Sequence, residues 1–247
     1  MATGRRPLKA VGEECGSAHG QARGSIAPQR EGRVNPMKPR RVRARGVLPV
    51  LLLTVFGAAM VAWPASATHT SCNGVPVPHN AQHTGTAGDD VMTGGPGAEG
   101  FMGLGGNDTI RGGGGNDGIC GGTGNDRLFG ELGNDLISGE AGTDTISGGA
   151  GADAIQGDNS GDTITGDDDA DFLGGDAGND NIHGNQGADD VIGAQNDDFL
   201  FGDEGTNDEL FGFDGADGLN GGSGTNDYCD SGAGADLVSV QCEAGPG

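Results

Sequence analysis

Between Gly103 and Ser138 the chain reads GLGGNDTIR, GGGGNDGIC, GGTGNDRLF and GELGNDLIS, four nine-residue units without a gap. A glycine opens each unit, an aspartate follows at the sixth position, and an aliphatic residue stands at the eighth. Working outward, the register extends back to Gly85 and forward to Phe201, thirteen units in all. Four looser units open at Gly202, Gly212, Gly221 and Ser231, and the first and third of these carry one extra residue. A short strict period specifies a stacked, quasi-one-dimensional fold rather than a globule around one closed core.

Within a unit, the first six residues are turn chemistry: glycines that accept φ > 0, then Asn or Asp ahead of the key aspartate. The last three alternate outward, inward, outward and read as a minimal strand. The inward positions are Met92, Phe101, Ile110, Ile119, Leu128, Ile137, Ile146, Ile155, Ile164, Leu173, Ile182, Val191, Leu200, Leu210, Leu219, Cys229 and Val238. Two units per coil place odd units on one sheet and even units on a second, with the apolar side chains meeting between them. The expected fold is all-β, a parallel solenoid of two short sheets, and parallel crossovers coil right-handed.

Charge divides the chain. Eleven of its 13 Lys and Arg precede residue 46. From Thr68 onward, Arg111 and Arg127 face thirty-three acids, a net charge of −31. That balance disfavours nucleic acid and anionic membrane as partners. The basic stretch MKPRRVRARG from Met37 leads into apolar Val47 to Trp63 and then Ala65-Ser66-Ala67. This is the order of a secretory signal with cleavage after Ala67. The apolar run of seventeen residues is short for a membrane span. Residues 1–36 are read as an extension upstream of a true start at Met37, 37–67 as signal peptide, and 68–84 as a leader. The repeats occupy 85–239 and a C-terminal cap 240–247.

One inward side chain in nine residues is little apolar burial against the entropy of ordering so much glycine. Stacking also brings like carboxylates together. The metal-free chain is therefore expected to be unfolded. A hard divalent cation removes both obstacles, and carboxylates with turn carbonyls suit calcium better than magnesium, which keeps its water. No Cys or His run offers zinc its softer ligands. Seventeen units leave fifteen gaps between a unit and the next on the same side, and fifteen calcium ions would bring +30 against −31.

These units resemble the RTX-type calcium-binding nonapeptide, G-G-x-G-x-D-x-U-x, of the hemolysin-type repeat family, which folds as a parallel β-roll. The resemblance implies calcium ligation by the sixth-position carboxylate together with backbone carbonyls. Here those carboxylates are Asp90, Asp108, Asp117, Asp126, Asp135, Asp144, Asp153, Asp162, Asp171, Asp180, Asp189, Asp198, Asp208, Asp217, Asp227 and Asp236. Glu99 stands in the second unit, where its longer arm fits the pattern less well. The fourth-position glycine is replaced by Ser160, Asp169 and Asn196, and Ser160 is the poorest substitute, so ions are expected to be weaker around 157–171. The extra residues near Thr206-Asn207 and Thr225-Asn226 are expected to bulge outward.

Of the four cysteines after Ala67, Cys120 and Cys229 lie about six coils, or ~29 Å, apart. A disulfide needs α-carbons within about 7 Å. The expected pairs are therefore Cys72–Cys120 and Cys229–Cys242, pinning flanking segments over the two ends. His69, His79 and His83 are read as solvated leader residues and His183 as an outward repeat position. No HExxH, nucleophile elbow or phosphate loop occurs, so no catalytic residue is assigned and the protein is not read as an enzyme. The reading is a secreted, extracellular, monomeric protein that binds many structural Ca2+ ions and folds on export. An adhesin with a cell-surface or polysaccharide partner is the alternative, and a polysaccharide-modifying enzyme on a solenoid is a third.

Overall fold

The computed structural model describes residues 82–238 and 241–242. The segments 1–36 and 37–67, most of the leader, Cys72 and residues 243–247 lie outside it. Among the described residues are eighteen strands and no helix, numbered in chain order from β1 (Gln82–Thr84) to β18 (Leu237–Val238). The nine odd-numbered strands form one sheet and the nine even-numbered strands the other. All pairs are parallel, each strand hydrogen-bonding the strands two places before and after it. The chain is a β-solenoid of about nine coils.

Register follows the hydrophobic pattern. In the even sheet, Ile146 pairs with Ile164 and Ile164 with Ile182; in the odd sheet, Ile137 pairs with Ile155 and Ile155 aligns with Leu173. A slip of one residue would turn each of these side chains to solvent, so burial fixes the stack. Fourteen of the seventeen expected inward residues, Phe101 through Leu219, are fully buried in one continuous column. Met92 and Cys229 are partly buried against it. Val238 departs from the expectation and is 46% exposed, because among the described residues no further strand stands over the last even strand.

The strands are longer than the three residues expected. From β3 (Gly100–Gly105) to β15 (Glu209–Asp214) each has six or seven, reaching three or more positions into the next unit. The reason is translational. A turn lying on an identical turn continues the ladder, so Asp158 aligns with Asp176 and Asn159 with Ala177 beyond the apolar core. The longer units do the same. Asn207 and Asn226 take left-handed φ of 65°, the exposed Thr206 and Thr225 bridge each other, and Leu210 still pairs with Cys229.

Both ends of the column differ from the sequence expectation or complete it. His83, read as a solvated leader residue, instead pairs in register with Phe101 and stacks on its ring at 4.7 Å. It is the first member of the inward row, in a strand that begins before Gly85. At the other end, inward Cys229 forms a disulfide with Cys242, with α-carbons 5.6 Å apart. Cys120, on the outer face of β5 (Gly118–Thr123), is also disulfide-bonded, and Cys72, its expected partner, lies outside the described residues.

Two substitutions test this account. Ile155→Ala, in the middle of the dry column, should cost about 3 kcal/mol of the calcium-loaded fold, read as a lower urea midpoint. Leu104 has φ 78° and is 47% exposed. Leu104→Gly should therefore stabilise by roughly 1 kcal/mol, because a left-handed backbone penalty disappears with little packing lost.

Candidate metal centre

Each turn is built by four positions of the unit. The first is glycine because a Cβ there would strike the aspartate of its own unit and a carbonyl one coil on. At Gly139 the obstructing atoms are Asp144 Oδ2 and the Gly157 carbonyl oxygen; at Gly148 they are Asp153 Oδ2 and the Gly166 carbonyl. The second and fourth positions sit at positive φ, for example Gly149 and Gly151. Glycine accepts this without penalty. Ten non-glycine residues take positive φ at the second position, among them Leu104, Glu131, Asp158, Ala194 and Phe213. At the fourth position, Ser160, Asp169 and Asn196 all take φ near 80°. Ser160 thus keeps the loop geometry, and Asp162 and Asp171 beside it are buried like their neighbours.

The sixth-position aspartate closes the turn and joins two coils. Its Oδ1 accepts the backbone N–H of the aspartate one coil earlier, so Asp144 Oδ1 takes the Asp126 N–H and Asp162 Oδ1 takes the Asp144 N–H. This bond recurs from Asp90 N–H to Asp236 Oδ1 at 2.7–3.2 Å, with the Glu99 N–H on Asp117 as one member. The fifth position makes a second ladder of opposite sense. Asn107 Oδ1 accepts the Asn125 N–H and Asn125 Oδ1 accepts the Thr143 N–H. Sequence reading assigned that Asn or Asp only to turn propensity. Its recurrence every eighteen residues is the signal that identifies the ladder.

The other carboxylate oxygen, Oδ2, has no partner. Fourteen aspartates, from Asp108 through Asp227 in ladder order, bury Oδ2 with no hydrogen bond. Beside the opening glycine, that oxygen and a backbone carbonyl converge without a donor between them. Two acceptors facing each other in a desolvated turn are unfavourable unless a cation joins them. Among the described residues no three Asp, Glu, His or Cys side chains gather at one point. A cation here would therefore draw on carboxylate and backbone oxygen together, the hard, mixed oxygen set that suits calcium.

The ends of the ladder behave differently. Asp90 is half-buried, and its Oδ2 accepts the Thr86 N–H at 2.6 Å and the Thr86 hydroxyl at 2.9 Å. Glu99 is half-buried too, and its longer arm carries Oε2 to the Gly95 N–H at 2.6 Å. Asp236 is half-buried on the last coil. Of the seventeen carboxylates read from the sequence, these three lie apart from the buried fourteen.

Electrostatics sharpen the requirement. Burial is the leading cause that pushes Asp162 and Asp171 up to about 8, with neighbouring carboxylates adding to it and the backbone hydrogen bond opposing. Asp135, Asp153 and Asp198 rise to about 7 for the same first reason. A second, outer row of acids at unit position two is satisfied by outward side chains. The Ser138 hydroxyl donates to Asp158, the Ser147 hydroxyl to Asp167, and Arg111 pairs with Glu131 at 2.9 Å. Sequence reading did not single out this row.

The model of the RTX calcium-binding nonapeptide repeat matches residues 84–109, 94–128, 121–155, 147–182, 174–207 and 192–226. These overlapping matches run from 84 to 226, more than half of the chain and all but the last two of its expected ligand positions. No curated protein matches it.

Two outcomes are expected. Asp144→Asn keeps an oxygen for the Asp126 N–H but removes the charge, so calcium counted by equilibrium dialysis should fall by one or two ions without loss of fold. In metal-free solution the folded carboxyls hold protons that the unfolded chain, at 3.8, has released. The metal-free roll is thus favoured below about pH 4 and loses that support as pH rises through 6 to 8. Calcium needs the ionised form, so its affinity should change in the opposite direction and weaken as pH falls. The calcium midpoint of folding, read by circular dichroism, should therefore be higher at pH 4.5 than at pH 7.

Proposed function

From a chain that belongs to the RTX calcium-binding nonapeptide repeat family, we infer a secreted protein whose repeats bind calcium structurally and fold into the roll on reaching calcium outside the cell. The observation that carries this is the row of fourteen buried Oδ2 atoms without a hydrogen bond, most of them beside a backbone carbonyl at the opening glycine. Calcium supplies the missing positive charge at every step of the stack. At about 1 mM calcium and a site constant near 0.3 mM, each ion adds roughly 0.9 kcal/mol. Ten such ions shift folding by about 9 kcal/mol, as much as the whole stability of an ordinary domain.

Export is supported by the Met37–Ala67 segment and by cysteine use. A disulfide such as Cys229–Cys242 persists in oxidising compartments, where calcium is also plentiful. Asp90, Asp236 and the fourteen buried aspartates are the proposed ligands; Glu99 is the weakest, its longer arm already holding the Gly95 N–H, and Asp90, which holds Thr86, is next. The carboxylates are spent in identical turns, not set as an acid and base across a cleft, which supports a structural role over a catalytic one. Among the described residues His183 pairs with Asp203 at 2.6 Å on the outer face, away from the buried ladder.

Circular dichroism of the purified protein tests the reading directly. In EDTA the spectrum should be that of an unfolded chain, and millimolar calcium should convert it to β-structure in a cooperative, chelator-reversible step. Magnesium at the same concentration should fail. A fully ordered chain in EDTA, or equal folding by magnesium, would overturn it.

A further inference from the structure

The aromatic residues of this protein avoid its core. Among the described aromatic residues only Phe101 is fully buried in the apolar column; Phe211, Phe213 and Tyr228 instead cluster on the outer face of the odd sheet. They stand on β15 and on β17 (Tyr228–Asp230). Ring centroids are 6.2 Å apart for Phe211 and Phe213 and 5.9 Å for Phe211 and Tyr228. Three carboxylates share the face. Asp190, on β13 (Asp190–Gln195), pairs in register with Glu209; Glu209 pairs with Tyr228; and Phe211 pairs with Asp230.

Two features of this patch lack an internal reason. Directly opposed like charges such as Asp190 and Glu209 weaken a sheet, and the two arginines among the described residues, Arg111 and Arg127, stand on the other sheet. Phe213 is also the largest side chain at any left-handed position, with φ 72°. A bulky residue held there signals a constraint other than folding. The N-terminal part of the even sheet shows what completes such a patch. There Arg111 lies 4.3 Å above the Phe129 ring while its guanidinium bonds Glu131 at 2.9 Å. On β13, β15 and β17 the rings and carboxylates are present and the guanidinium is missing.

We propose that this face is a docking surface for an arginine-rich segment of a partner polypeptide, with guanidinium groups lying on the Phe211, Phe213 and Tyr228 rings and pairing with Asp190, Glu209 and Asp230. Arginine suits the patch better than lysine because its planar group stacks on a ring and bonds a carboxylate at once. The surface presupposes the calcium-loaded roll, and circular dichroism before each titration separates a failure to fold from a failure to bind.

Calorimetric titration of the calcium-loaded full chain with hexa-arginine should give saturable binding, with hexa-lysine about fivefold weaker. Glu209→Gln and Phe211→Leu should each weaken hexa-arginine about tenfold, whereas Glu204→Gln on the even sheet should change it less than about twofold. Both Glu209 and Glu204 are exposed, so those two variants keep the fold. Equal weakening by Glu204→Gln would reduce the effect to bulk charge and overturn the proposal. Equal binding of hexa-lysine would remove the rings from it. Binding of a neutral N-acetylglucosamine hexasaccharide in place of hexa-arginine would reassign the face to glycan.

Discussion

Stacking identical turns forces identical carboxylates on top of one another, and the rest of this structure follows from how that is resolved. Each buried aspartate spends one oxygen on the backbone of the preceding coil and leaves the second without a hydrogen bond, in most units beside a carbonyl. The glycine at the first position exists to leave that space open. The left-handed residues at positions two and four bend the chain around it. What results is a framework whose geometry is complete but whose charge is not, since the buried acceptors face one another without a proton or cation between them. The family's calcium supplies the difference.

The apolar column sets a second limit. One inward side chain per unit, alternating from two sheets, favours residues of about the volume of Ile or Leu, and twelve of the fourteen buried members are Ile or Leu while Val191 is slightly smaller. Met92 and Cys229 complete it as partly buried ends. Phe101 stands near the N-terminal end of the column, where His83 lies flat against its ring. Larger rings elsewhere would pry the sheets apart, so the remaining aromatics stand outside. There they pair across strands, as Phe201 does with His183 at 4.4 Å.

The inward residues and the sheet alternation were legible in the sequence because a period of nine with one aliphatic position leaves few arrangements. The buried fourteen-aspartate ladder was legible for the same reason. Strand length was not, because three residues of strand and six of turn look chemically distinct along the chain, while ladder bonds form across it. The asparagine ladder was hidden likewise: Asn107 and Asn125 bond residues eighteen places away. His83 was misplaced because a polar residue just before Gly85 reads as leader, and only the Phe101 ring beneath it makes the site hospitable to imidazole. Val238 met the pattern but not the physics, having no successor to cover it.

The aspartate bonds all run one way. In this ladder a coil offers its buried aspartate N–H forward, and the acceptor comes from the coil after it. The two extremities of the stack are therefore chemically unlike, as the ends of an actin filament are. Loss of coils from the C-terminal side strips acceptors from the buried N–H groups that remain. Loss from the N-terminal side frees carboxylate oxygens and takes acceptors from exposed fifth-position N–H groups such as that of Asn125, all of which water can serve. The covalent clasp of Cys229 to Cys242 sits at the side where erosion is the more damaging.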